Sequence, residues 1–245
     1  MFKNLFSAIF LFLISLLLRA FSGYTVNDSF PQLFSDCLSV IVTVLPFYVY
    51  NRISKTKQTK TVSFEKIYIV PIFFSALLLA NAGAYIENVF MEFLKITPQH
   101  TDISALGLFD LWAFIIFSAV IVPLSEEYVY RKSIMKILSP YGILPSVIIS
   151  SLMFSLAHPF GTRVYAFFMG TALGLIFVCS GIKHSIVFHI LNNSLNIVFA
   201  VLQNAFGRKA DICYNVFVLA AGALSMLLII KKLFLKRGVG GGKET

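Results

Sequence analysis

Charge is what this chain lacks. Only 13% of its 245 residues are Asp, Glu, Lys or Arg, against 58% hydrophobic and 26 Phe. A soluble domain carries about a quarter charged residues, so too little polar surface exists here to solvate a globule, and the natural solvent is lipid. Acids are the scarcer sign, 11 against 20 bases, for a net charge of +9. The bases fall between apolar runs rather than along one face. That pattern suits loops touching an anionic leaflet and argues against nucleic acid as a partner. Cysteine is sparse too: Cys37, Cys179 and Cys213 show no paired spacing, which removes a disulfide framework or a zinc cluster from consideration. Three catalytic signatures are missing as well. There is no His-Glu-x-x-His, which would set two zinc ligands and a base on one helix face. There is also no Gly-x-Gly-Asp and no Gly-x-Ser-x-Gly. No internal repeat is visible, which counts against a transporter built from repeated halves.

What the chain does have is a series of apolar runs. A bilayer span needs roughly 20 mainly apolar residues, within about 17 to 25. Residues 5–22, 32–50, 67–86, 107–125, 143–158, 164–180, 185–203 and 214–230 qualify approximately. The sequence therefore predicts an all-α, polytopic bundle of about eight transmembrane helices. It reads as a single transmembrane domain over 1–237, followed by a flexible tail at 238–245. The run after Lys3 is too long for a signal core, so it reads as an uncleaved first span. With the N-terminus in the cytoplasm, Lys3, the bases from Arg52 to Lys66, Arg131, Lys132, Lys136, Lys183 and the five from Lys231 to Lys243 lie inside. Only Arg19, Lys95, Arg163, Arg208 and Lys209 lie outside. A bias of 15 to 5 fixes that orientation, with both termini cytoplasmic. The basic segment 51–66 reads as a topology-fixing loop, and 87–106 as a candidate interfacial helix.

Against this background, six polar residues stand out: Glu126, Glu127, Arg131, His158, His189 and Asn193. Ionisable groups at membrane depth are costly and mark functional sites by default. They form three helix-compatible blocks. Glu127 and Arg131, four apart, share a helix face and can pair. Glu126 is turned about 100° away by the 3.6-residue turn, so it is left free and suited to general acid–base work. Phe154 and His158 share a face, and Pro159 disfavours helical geometry at His158. His189 and Asn193 share another, with Asn192 and Asn196 nearby, so that one helix carries a polar stripe. Each block alone has a plain explanation: a solvated helix end, an interfacial histidine, an interhelical hydrogen-bond ladder. Together, a carboxylate, two imidazoles and a carboxamide can run hydrolysis. If 126–138 continue the fourth helix, Ser139-Pro140-Tyr141-Gly142 is a hairpin turn, and Glu126 and His158 reach similar depth on antiparallel neighbours.

The pattern Glu-Glu-x-x-x-Arg, Phe-x-x-x-His, His-x-x-x-Asn resembles the CPBP family, the CAAX prenyl proteases and bacteriocin-processing enzymes also called the Abi family. The resemblance covers about residues 107–205. It implies a compact bundle of eight transmembrane helices in the cell membrane, with a site opening towards the cytoplasm. It implies an endopeptidase acting on a membrane-associated peptide or protein. Glu126 would activate water with the help of His158, while His189 and Asn193 would stabilise the oxyanion. Glu127 and Arg131 would hold the helix and the charge balance, with Phe154 in support. The favoured mechanism uses no cofactor; if Zn²⁺ binds, its ligands are Glu126, His158 and His189. The short chain and plain loops resemble a bacterial member, favouring leader peptides, pheromones or bacteriocin precursors over prenylated substrates. Two other classes stay open: a non-catalytic bacteriocin-immunity or sensor-regulating partner of the same fold, and a transporter relaying protons through Glu126 and His189. The oligomeric state is not legible.

Overall fold

Residues 2–25, 32–54, 66–97 and 107–240 are described by the structure, a computed structural model. Among them the chain forms helices and no strand. The helices are α1 (Phe2–Thr25), α2 (Gln32–Ile53), α3 (Ile69–Phe93), α4 (Leu108–Tyr141), α5 (Ile143–Leu156), α6 (Arg163–Ser180), α7 (Ile182–Phe206) and α8 (Arg208–Gly240). Seven are long and apolar enough to cross a bilayer. Large side chains such as Phe109, Trp112, Leu219 and Leu224 face outward. In water they would form an untenable apolar surface, so the bundle is that of a multi-pass membrane protein.

The eighth helix departs from expectation. α5 has 14 residues, about 21 Å at 1.5 Å per residue, short of the roughly 30 Å hydrocarbon core. It stops at Leu156 rather than at His158. Pro159 is the cause: the residue before a proline is pushed out of the α region. The chain leaves the helix through a turn in which the His158 N–H bonds the Ser155 carbonyl at 3.0 Å.

The hairpin between α4 and α5 lies where the sequence places it, with Gly142 at φ 97° making the reversal. The connection expected at Gly181–His184 shrinks to one residue. Gly181, at φ 84°, turns the chain between Ser180 and Ile182, a left-handed conformation that glycine adopts without a Cβ penalty. Lys183 and His184 therefore belong to the first turn of α7 and are exposed. α3 carries Glu87 and Glu92 within its helix, so residues 87–93 extend that helix. The remainder of the expected interfacial segment from 98 to 106, including His100, lies outside the described residues, as do 55–65 of the basic loop and 241–245 of the tail.

α4 is one long rod that widens twice. Phe117–Ile121 and Glu127–Ile134 are π-helical, the turns before, between and just after them are α, and Ser139–Tyr141 ends the rod as a 3₁₀ turn. The first widening fits Pro123. In the i→i−5 register that Val122 sets by bonding the Phe117 carbonyl, the next donor would serve Ser118, and a proline has no N–H to give. π-Turns of this kind concentrate at functional sites.

α3 packs between α6 and α8, α5 lies along α6, and α7 touches α4, α6 and α8. α1 and α2 pair with each other and lean on the second half of α4. One core cluster joins Phe12, Phe47, Ile134, Leu138 and Phe154, and another joins Phe73, Leu77, Met169, Ile176 and Val218. Small residues permit the closest approaches, since helix association in lipid relies on contact rather than on hydrophobic expulsion. A Cβ on Gly170 would stand 3.0 Å from Phe154 Cδ1, and one on Gly174 would stand 3.0 Å from Val147 Cγ1. Gly222 of α8 is tighter still, because a Cβ there would overlap Leu78 of α3.

Overpacking a filled contact costs about 1–3 kcal/mol. Gly222→Val is therefore expected to lower the thermal midpoint in detergent by several degrees. Leu224→Ala, on the same helix but 61% exposed, is expected to leave it unchanged. Thermal unfolding of the two purified variants checks this.

Candidate active site

The three polar blocks meet. Glu126 from α4, Phe154 and His158 from the end of α5, and His189 and Asn193 from α7 line one cavity of about 330 Å³. Thr162, Tyr165, Asn192 and Asn196 complete its polar wall, and Val122, Met169, Leu173 and Ile197 its apolar wall.

Behind His189, outside the cavity lining, is the Glu127 carboxylate, fully buried with Arg131. Arg131 Nε lies 3.5 Å from Glu127 Oε2, the i,i+4 pair the spacing predicts. The pair is tied to two further helices. Arg131 Nη1 donates to Ser150 Oγ of α5 at 3.2 Å, and that hydroxyl donates to the Tyr130 carbonyl at 2.9 Å. From α7, Ser185 Oγ donates to Glu127 Oε2, and His189 Nδ1 donates to Glu127 Oε1 at 3.0 Å. Each carboxylate oxygen thus has a partner outside its own helix. A buried charge stands only when paired and hydrogen-bonded in this way.

His189 joins the two glutamates. Its Nδ1 faces Glu127, and its Nε2 lies 3.5 Å from Glu126 Oε2. Glu126 is consequently not the free carboxylate that helical geometry suggests. The Glu126–Glu127 step is itself regular α-helix, with φ −68° and ψ −42° at Glu126 and φ −63° and ψ −36° at Glu127. Both carboxylates reach one imidazole because His189 comes in from another helix with one ring nitrogen towards each. Glu126 nevertheless keeps 17% of its side chain exposed in the cavity, where Glu127 has none.

His158 is fixed differently. Its Nδ1 lies 2.7 Å from the Phe154 carbonyl, an oxygen that only accepts, so Nδ1 is the donor in that bond and Nε2 is the nitrogen left for another partner. Phe154 separates the two imidazoles, its ring centroid 4.5 Å from His158 and 5.7 Å from His189. The Arg131 guanidinium lies over the same ring at 5.5 Å.

Asn193 Nδ2 donates to the Ser118 carbonyl at 2.9 Å, the carbonyl that Pro123 leaves without a backbone donor. Asn193 Oδ1 accepts from Asn192 Nδ2 at 3.2 Å, and Asn192 Oδ1 accepts from Tyr165 Oη at 2.7 Å. With its oxygen engaged, Asn193 has one N–H left to offer the cavity.

Ser150, Ser185 and Tyr165 are site residues that the sequence reading passed over. Two had a signal: Ser150 is one turn before Phe154 and Ser185 one turn before His189, each on the face already singled out. Tyr165 had none, because its reach across to α7 depends on helix packing. His184 is exposed and bonded to the Ser180 carbonyl. Among the described residues no group of three or more His, Cys, Asp and Glu side chains is placed to hold a metal ion. The cavity thus gathers a carboxylate (Glu126), two imidazoles (His158 and His189) and a carboxamide (Asn193), with His189 Nε2 beside Glu126.

Comparison with known proteins bears on this geometry. No curated protein and no solved structure matches the chain. Residues 108–195 match the family model described as type II CAAX prenyl endopeptidase Rce1-like. That segment opens in α4 and closes in α7, taking in all three blocks. Over that segment the chain is similar to the Rce1-like family of CAAX-type intramembrane proteases.

Proposed function

We propose that the protein is an intramembrane endopeptidase, cleaving a membrane-associated peptide or protein near the cytoplasmic face with Glu126, His158, His189 and Asn193 as its catalytic residues. The observation that carries this reading is the placing of His189 between two carboxylates on the wall of a cavity shared with His158 and Asn193. A nitrogen and a carboxylate oxygen facing each other repel unless one holds a proton. With Nδ1–H given to Glu127, the Glu126–His189 pair holds one proton between its two facing atoms. Whichever of the two atoms carries it, the cluster Glu126, Glu127, Arg131 and His189 is electrically neutral, the arrangement a low-dielectric interior favours.

Hydrolysis follows in two proton transfers. Water bound between Glu126 and His158 Nε2 loses a proton to that pair as its oxygen attacks the scissile carbonyl carbon. The carbonyl oxygen becomes an oxyanion, which the His189 Nε2–H and the spare Asn193 N–H receive. When the C–N bond breaks, the captured proton passes to the leaving amine. Glu127, Arg131 and Phe154 hold the imidazoles in place. The substrates proposed are leader peptides, pheromone precursors or bacteriocin precursors, with the bilayer delivering them to the site. The loop charges support cytoplasmic termini, and the proposed steps use no cofactor.

Glu126→Gln is expected to abolish release of at least one peptide or truncated membrane protein at unchanged membrane abundance and thermal midpoint. Comparing peptides released by cells carrying the native and variant proteins checks this. Identical peptide profiles with a retained cellular phenotype would point to the immunity or regulatory role instead. Asn193→Ala is expected to lower kcat by about 10²–10³-fold, the effect of deleting one oxyanion donor, measured on the peptide so identified. Glu127→Gln should lose both activity and stability, by about 3–5 kcal/mol, because it strands the buried Arg131 charge; denaturant unfolding of the variant measures the second.

A further inference from the structure

Glu87 lies on α3, outside the segment that matches the family and 71 residues before His158. Its carboxylate crosses to the start of α6. Glu87 Oε1 accepts the Gly161 N–H at 2.9 Å, and Oε2 accepts the Val164 N–H at 2.8 Å. The first turn of a helix leaves N–H groups without partners, and the residue before it ordinarily supplies an oxygen. Thr162, in that position, does not. Its hydroxyl bonds the Pro159 carbonyl at 3.0 Å, and no side-chain cap is formed. Glu87 therefore caps α6 from another helix, with a negative charge placed where the helix dipole favours it.

That cap bears on the cavity. Arg163, the first residue of α6, donates through Nε to the His158 carbonyl at 3.0 Å, and its own carbonyl accepts from Ser155 Oγ at 2.8 Å. His158 to Thr162 is thus a short bridge between α5 and α6. One end is anchored on Phe154, Ser155 and Arg163, and the far end on Glu87. Gly161 at φ 91° gives the bridge its reversal and turns its N–H towards Glu87.

We infer that Glu87 is a positioning residue that sets the His158 imidazole in the cavity by clamping the α5–α6 bridge. This rests on the reading that His158 works in hydrolysis. Removing the clamp frees Gly161 and the first turn of α6, so Arg163 no longer holds the His158 backbone. An error of about 1 Å in such a group costs up to 10²-fold in rate. A lower kcat with unchanged KM is the expected kinetic result for Glu87→Ala.

The test does not depend on activity. Protein labelled with ¹⁵N-histidine is reconstituted in lipid nanodiscs, and the His158 and His189 ring signals are assigned from His158→Gln and His189→Gln. In Glu87→Ala the His158 Nδ1–H signal is expected to broaden or shift, with the His189 signals unmoved. Glu87→Gln, which can accept one N–H but opposes the other with its amide, should fall between. A His158 signal identical to native in both variants overturns the inference. So does equal loss of both histidine signals, which would make Glu87 a general stabiliser. A His158→Gln protein that cleaves normally would instead sink the hydrolytic role of His158 and leave the clamp standing.

Discussion

Everything in this site depends on how a carboxylate survives with no access to water. Glu127 is fully buried, and an isolated charge there would cost several kcal/mol. It is stable because Arg131, Ser185 and His189 all converge on it. The same bonds that satisfy the charge join α4 to α7, and Arg131 extends the connection to α5 through Ser150. Solving the electrostatic problem at one residue thereby assembles three helices and orients an imidazole. The second carboxylate stands next to the first along the chain but opens on the cavity. Two adjacent glutamates so differ in setting because one is enclosed by protein and the other lines the cavity.

The backbone of α4 is irregular around these groups. A π-turn from Glu127 to Ile134 follows the two carboxylates directly. The earlier π-turn, next to Pro123, releases the Ser118 carbonyl to hold Asn193. Irregular backbone is tolerated at membrane depth where side chains from neighbouring helices re-satisfy it. Here Asn193 does that at the Ser118 carbonyl, and Ser150 adds a second donor to the Tyr130 carbonyl that the Met135 N–H already serves.

The all-α bundle and the three blocks were legible in the sequence because both are local signals. Apolar runs announce spans, and four-residue spacing announces a shared face. The Glu127–Arg131 pair followed from spacing alone. The full length assigned to α5 did not survive, because Pro159 ends the helix earlier than an apolar run suggests. The freedom assigned to Glu126 did not survive either, because His189 reaches it from another helix and spacing within one helix does not report that contact. Tyr165 and Glu87 were invisible for another reason. Their partners lie 27 and 74 or more residues away, and no periodicity within one helix reports a contact made between helices. Ser150 and Ser185 stood on the right faces and were missed because serine reads as ordinary small packing in a membrane helix.

The most direct test of this account is a double-mutant cycle for stability between Glu127→Gln and His189→Gln, measured by unfolding in detergent. Such a cycle isolates the bond through which the buried carboxylate holds the imidazole. A coupling of about 1–3 kcal/mol is expected for partners in one buried network. Effects that add to within about 0.5 kcal/mol would mean that Glu127 and His189 act independently, and would contradict the account.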